Sequence, residues 1–291
     1  MSQVSQPQQY RHPGQVFISR YGLPQNDESI LHYVKFLRQE AKLSDSPPID
    51  LSIIYRHFGM PTPLRAPLID QQGILVDSDT GIILIKEDDP IVRQRFTEGH
   101  ELMELLFDAQ ERLLTETQVK LNWNEQRKEQ LCDQGAAELL LPKSSFLPQL
   151  QALGMSLQTG CTLAELYQTS LLATLVRMIQ CCTDACALVM WHSALTRQEA
   201  KNLANSTDLP AEKLRVWWRS CTSNWSCGFI PKNKSIPPDS CIAQAYATGQ
   251  FQEGIENVNL GKGALLCRIE AMPMQIGDKN CVISLLHWLK I

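Results

Sequence analysis

Apolar residues recur at two different periods along this chain, and the places where the period changes mark out its elements. Ile30, Tyr33, Val34, Leu37 and Ala41 follow the three-and-four spacing of an amphipathic helix that ends near Leu43. Pro47 and Pro48 force an extended entry, Asp50 can cap a second helix, and Leu51, Ile54, Tyr55 and Phe58 give it a buried face before Gly59 stops it. Between Gly73 and Lys86 the period drops to two. The runs GILVD and GIILIK, parted by Ser78, Asp79 and Thr80, predict a hairpin. Asp89 and Pro90 then open a helix carrying RFTEGHELMELLF, and a further helix runs from about Glu125 to Leu141, where Pro142 ends it.

Two more helices are predicted next, with Thr162 as the cap of TLAELYQTSLLATLVRMIQCC. After Cys186 alternation returns in ALVMWH. Helical stretches are expected over Arg197 to Ala204 and Pro210 to Arg219, followed by a loop with Cys and Trp and a short helix from Asp239 to Thr248. The closing runs ALLCRIEAMPM and NCVISLLHWL flank a Gly277–Asp278 turn. Residues 1–27, rich in Gln, Ser and Pro, read as a flexible N-terminal arm. The expected organisation is that arm, a domain over 28–185 of helices plus a small sheet, and a smaller α+β domain over 186–291, an α+β fold class throughout.

Composition narrows the function classes. The chain has 291 residues with 44% hydrophobic and 20% charged, which fits about two folded domains. A net charge of -4 supplies no basic field for phosphate, so direct nucleic-acid binding is not expected. No apolar run is long enough to span a bilayer, and the first 15 residues lack a signal-peptide core, so a cytoplasmic location with no membrane partner is the expectation. Ten cysteines are too few for a disulfide scaffold and are expected as thiols.

The chemistry concentrates in HELME. On a helix His100 and Glu104 project from one face and can reach one ion, while Glu101 points about 100° away from His100. This is the geometry of a zincin helix, in which two His of H-E-x-x-H hold a metal and the intervening Glu takes a proton from the attacking water. Here Glu104 replaces the second His, so a third ligand must come from elsewhere. Glu129 in KEQLCDQGAAELLLP is the candidate, on a carboxylate face shared with Asp133.

The ordered run from PPIDL through GILVD, GIILIK, RQRFTEGHELMELLF and AAELLLP resembles the ImmA/IrrE family of metallopeptidases, over about residues 28 to 185. The resemblance implies that His100 is the first metal ligand, Glu101 the catalytic acid/base, Glu104 the occupant of the second His position and Glu129 the third ligand. Asp133 falls where the family commonly has Asn, and is read as an outer hydrogen-bond partner. Cys132 falls where it commonly has Ala. The implied cofactor is one divalent metal, zinc by family, with manganese or iron as the alternatives. The implied activity is a metallo-endopeptidase, a hydrolase that cuts a protein substrate, typically a helix-turn-helix transcriptional repressor, in response to stress or a mobile-element signal. Some members carry a GAF-like C-terminal sensor, and by that analogy alone residues 186–291 are a candidate sensory domain.

Glu104 has a cost in charge. A divalent ion held by one imidazole and two carboxylates is formally neutral, where two imidazoles and one carboxylate leave +1; the added anion lowers Lewis acidity and weakens the preference for zinc. The rival reading is therefore a catalytically inactive peptidase-fold interaction or sensor protein. A DNA-binding regulator is a third class, weakened by Arg177 being the one basic residue in TLAELYQTSLLATLVRM. Glu98 reads as surface charge, and Cys181, Cys182 and Cys186 lack the tandem spacing of a second metal centre.

Overall fold

The computed structural model describes residues 9–113, 123–199, 213–259 and 263–289. The fold is mixed α+β, and the chain divides into two units: Met1–Gln149 with Leu163–Ala173, and Leu150–Thr162 with Thr174–Ile291. This division begins earlier than the boundary expected near 185, and it is discontinuous.

In the first unit, α1 (Pro13–Tyr21), α2 (Glu28–Glu40) and α3 (Ser52–Phe58) precede a three-stranded sheet of β1 (Leu64–Ala66), β2 (Gly73–Asp77) and β3 (Ile82–Lys86). Helices α4 (Ile91–Leu113) and α5 (Glu125–Leu140) follow. The predicted stripe on α2 is buried as Ile30, Tyr33, Val34 and Leu37, and Asp50 Oδ1 accepts the Ser52 N–H at the start of α3. The β2–β3 hairpin forms with Ile74 opposite Leu84, while β1 pairs in parallel with β3, so β2 stands at the sheet's edge. Alternation along β3 buries Ile83 and Ile85 against the helices.

The expectation of a flexible arm over 1–27 is corrected by α1. Residues 1–8 lie outside the described residues, but His12 caps α1 through Nδ1, and Phe17 and Ile18 join the core. Gly14 explains why a segment poor in apolar residues can dock. A Cβ there would stand 2.0 Å from the Leu105 carbonyl oxygen, so only glycine lets α1 lie directly on α4.

The long run after Pro142 is three helices: α6 (Lys143–Leu153), α7 (Leu157–Tyr167) and α8 (Leu171–Cys181). Thr162 is not the cap expected of it. It lies inside α7, where its hydroxyl donates to the Gln158 carbonyl one turn back. The break comes at Gln168, whose φ of 52° ends α7, and Ser170 accepts the Ala173 N–H to start α8.

The second unit carries β4 (Cys186–Ala194), β5 (Lys213–Cys221), α9 (Cys241–Thr248), β6 (Gln252–Asn259), β7 (Ala264–Ile276) and β8 (Lys279–Trp288). The strands form one antiparallel sheet in the order β5-β4-β8-β7-β6. Ile276 and Lys279 pair across the expected Gly277–Asp278 turn, where Gly277 has φ 59°. The helix expected over Pro210 to Arg219 is a strand from Lys213, with 210–212 outside the described residues. A bulge between Met190 and Trp191 shifts their partners from Trp218 to Val216, which breaks the period-two pattern that would have announced β5. Of Arg197 to Ala204, residues 197–199 are helical and the remainder lies outside the described residues.

Candidate metal centre

Helix α4 is the axis of the site. One side of it, Leu102, Met103, Leu105, Leu106 and Ala109, is buried in the core, and this fixes the rotation that aims His100, Glu101 and Glu104 into a cavity of about 810 Å³ between β2, α4 and α5. Small residues bring the walls close. A Cβ on Gly99 would meet the Ala136 Cβ at 3.3 Å, so α4 and α5 run nearly in backbone contact. A Cβ on Gly73 would stand 2.4 Å from Thr97 Cγ2 and 2.7 Å from Glu101 Oε1, which seats β2 directly against the carboxylate.

Within this frame the predicted residues converge. His100 Nε2 lies 3.5 Å from Glu129 Oε2 and 3.8 Å from Glu104 Oε1, and His100 Nδ1 lies 3.0 Å from Asp133 Oδ1. The Asp133 contact turns the ring so that Nε2 faces the carboxylates, the arrangement by which an outer carboxylate orients a metal-binding imidazole. Burial works to lower the His100 pKa, but the Asp133 hydrogen bond and the charges of Glu101, Asp133 and Glu129 raise it above its ordinary value. Glu101 is 6% exposed. Its burial pushes the carboxyl up to about 7; Glu104 and Glu129 reinforce the shift, while His100 and a hydrogen bond from the Leu75 N–H oppose it. A carboxyl group poised near neutrality suits proton transfer in both directions.

Two neighbours of Glu104 were not foreseen. Lys128 Nζ stands 2.9 Å from Glu104 Oε2, and the Cys132 thiol donates to Glu104 Oε1 at 3.3 Å. The signal was available, because Lys128 and Cys132 are four apart on α5 and must share a face. Burial works to lower the Lys128 pKa but Glu104 raises it overall, while burial and Glu104 both push the Cys132 thiol up. Glu98, expected as surface charge, is mostly covered: it pairs with the Arg65 guanidinium and accepts from the Tyr55 hydroxyl at 3.5 Å.

The donor set fits a divalent cation. Metal bonds of about 2.0–2.3 Å in a tetrahedron separate the donors by about 3.3–3.8 Å, and the contacts around Glu104 and His100 fall in that range. The His, carboxylate and thiol donors of His100, Glu104 and Cys132 lie within 4.8 Å of one another.

The helices that carry these residues lie within a stretch that matches a known family. The peptidase M78 family, described as the IrrE N-terminal-like domain, matches residues 60–178. This stretch is similar to the IrrE N-terminal-like domain. The domain match begins after α3, yet α1 and α2 supply Phe17, Ile30, Tyr33 and Leu37 to the same core. Among solved structures, a chain described as a Mycobacterium tuberculosis transcriptional regulator is similar at 12% identity with a TM-score of 0.57, over 95% of this chain and 80% of that one. At that identity the likeness is one of fold. A comparison with curated protein sequences found no match. Among the described residues, no helix is long and apolar enough to cross a membrane.

Proposed function

We propose that this protein is a metal-dependent endopeptidase acting on a cytoplasmic protein, a helix-turn-helix transcriptional repressor being the substrate class the family resemblance favours. The observation that carries the reading is Glu101, a buried carboxyl held near neutral pKa beside His100, Glu104 and Glu129 inside an IrrE N-terminal-like domain. His100, Glu104 and Glu129 are the metal-holding residues and Asp133 orients His100. A divalent ion in this place polarises a carbonyl and lowers the pKa of water; zinc is the family's metal, with manganese or iron suited to the added carboxylate. Glu101 takes the proton of the attacking water and delivers it to the departing amine. β2 supports an extended polypeptide as substrate, since an edge strand beside the cavity offers backbone groups for strand addition. The 186–291 region is assigned a sensory role, and the structural likeness to a transcriptional regulator is compatible with a part in regulation.

Glu101→Gln tests the reading. The variant keeps the shape of the side chain, so metal content stays near one equivalent, while cleavage of the repressor falls by about 10²-fold or more. Undiminished cleavage removes Glu101 from its role. The Lys128 ammonium on Glu104 favours one second reading, an inactive fold kept for interaction, because a resident cation partly meets the charge of Glu104 without a metal. Under it the purified chain binds no divalent ion.

A further inference from the structure

Two of the positions at which this chain leaves the family pattern within the site, Glu104 and Cys132, touch each other. The Cys132 thiol meets Glu104 Oε1 at 3.3 Å, the same oxygen that faces His100 Nε2 at 3.8 Å. An alanine at 132 would put no heteroatom there. We propose that Cys132 is itself a metal ligand, a thiolate added to His100, Glu104 and Glu129, with His100, Glu104 and Cys132 as the close donors and the more exposed Glu129 as the outer ligand that gives way to the attacking water. The inference rests on the metal-binding reading above and adds a soft ligand to it.

Three observations support the assignment. The His100 nitrogen, Glu104 oxygen and Cys132 sulfur lie within 4.8 Å of one another, and the 3.8 Å and 3.3 Å contacts through Glu104 Oε1 have the length of tetrahedral edges. Cys132 is fully buried and its sulfur lies toward the site, with the carboxylate as its partner. The charge also closes. A divalent ion with one neutral imidazole and three anions carries a single negative charge, and Lys128, 2.9 Å from the other oxygen of Glu104, balances it. Lys128 has no such role in a three-ligand site, which is already neutral. Coordination breaks the Sγ–H bond, forms an Sγ–metal bond and releases the proton to solvent, so no oxidant or reductant is involved. A thiolate in the set restores the preference for zinc that the extra carboxylate weakens.

The full-length chain, stripped with a chelator and titrated with cobalt(II), tests this directly. Wild type is expected to bind one equivalent with a thiolate-to-cobalt charge-transfer band in the near ultraviolet, and to release one more proton than Cys132→Ala. In Cys132→Ser and Cys132→Ala the band disappears while one equivalent still binds, and zinc affinity falls at least tenfold. Circular dichroism of the two variants checks that the fold is kept, and the serine variant preserves the size of the side chain. One equivalent bound by wild type without the band overturns the thiolate ligand and leaves the endopeptidase reading standing. A band that survives in both variants assigns the sulfur to another cysteine and equally overturns the proposal. Failure of wild type to bind cobalt, zinc, manganese or iron overturns both.

Discussion

The two units bury polar groups in opposite ways. In the C-terminal sheet buried polar side chains meet partners suited to them: Trp191 Nε1 donates to Ser284 Oγ at 2.7 Å, Glu270 accepts the Leu157 N–H at 2.7 Å, and the Arg215 guanidinium reaches Glu199 and the carbonyls of Ala194 and Asn233. In the α4–α5 cavity the buried Glu101 has one hydrogen bond from Leu75, the His100 imidazole, and two carboxylates as neighbours. The first pattern fixes strand positions and costs little, since these desolvated groups keep their hydrogen bonds. The second leaves like charges facing one another, which is destabilising unless a proton or a cation answers them. Unmatched burial of this kind marks a site.

The largest test of this contrast is Glu101→Gln in the metal-free protein. The folded pKa of about 7 exceeds the ordinary 4.5, so the folded state holds a proton that the unfolded chain has lost, and stability falls as pH rises from about 4.5 through about 7. Glutamine removes that loss. The variant should be more stable than wild type at pH 8 by on the order of 3 kcal/mol, the gap closing toward pH 4.5, as urea unfolding at both pH values would measure. Equal stability at pH 8 would mean that Glu101 is not held in a desolvated, like-charged place.

In the sheet the same kind of experiment has the opposite sign. Ser284→Ala leaves the buried Trp191 N–H without its acceptor and should cost about 2 kcal/mol at any pH between 6 and 8. A loss that varied with pH would break the comparison. Gly73→Ala comes next in size: its Cβ must push β2 off Thr97 and Glu101, for a loss of about 1–2 kcal/mol. If the strand yields, Glu101 gains water and the pH-dependence of stability shrinks with it, a coupling that separates this site from ordinary overpacking.

The smallest effect comes from His287. Burial pushes its pKa down to about 4, helped by Arg268 and opposed by Asp184, so it stays neutral in the folded sheet while the unfolded chain takes up a proton below about 6.5. Stability present above pH 6.5 is therefore lost as pH falls toward 4. The loss at pH 5.5 should be under about 1 kcal/mol after allowance for solvent, and His287→Gln should abolish it. A slope unchanged in the variant would assign the titration elsewhere.

How much was legible follows the same division. His100, Glu101 and Glu104 announced themselves because a helix makes spacing into geometry, and Glu129 with Asp133 followed by the same rule. Cys132 and Lys128 obey it too, but a thiol and an ammonium are ordinary on any helix, and only contact with Glu104 gives them meaning. β5 was misread because its bulge breaks the alternation that identifies a strand. The helix α1 was missed because its docking depends on Gly14, and the absence of a side chain leaves no apolar signal in a periodicity.

Helix α4 is pressed at Gly14 on one side and at Gly99 on another, with backbone meeting backbone in place of compressible side chains. A rod clamped in that way cannot slide by even a fraction of a turn without a collision. Its amide protons from Gly99 to Ala109 can exchange with solvent only when the whole unit opens, whereas those of β2, bound on one side alone, exchange through local opening. Motion beside the cavity is thus expected in β2 and not in the face of α4 that carries His100, Glu101 and Glu104.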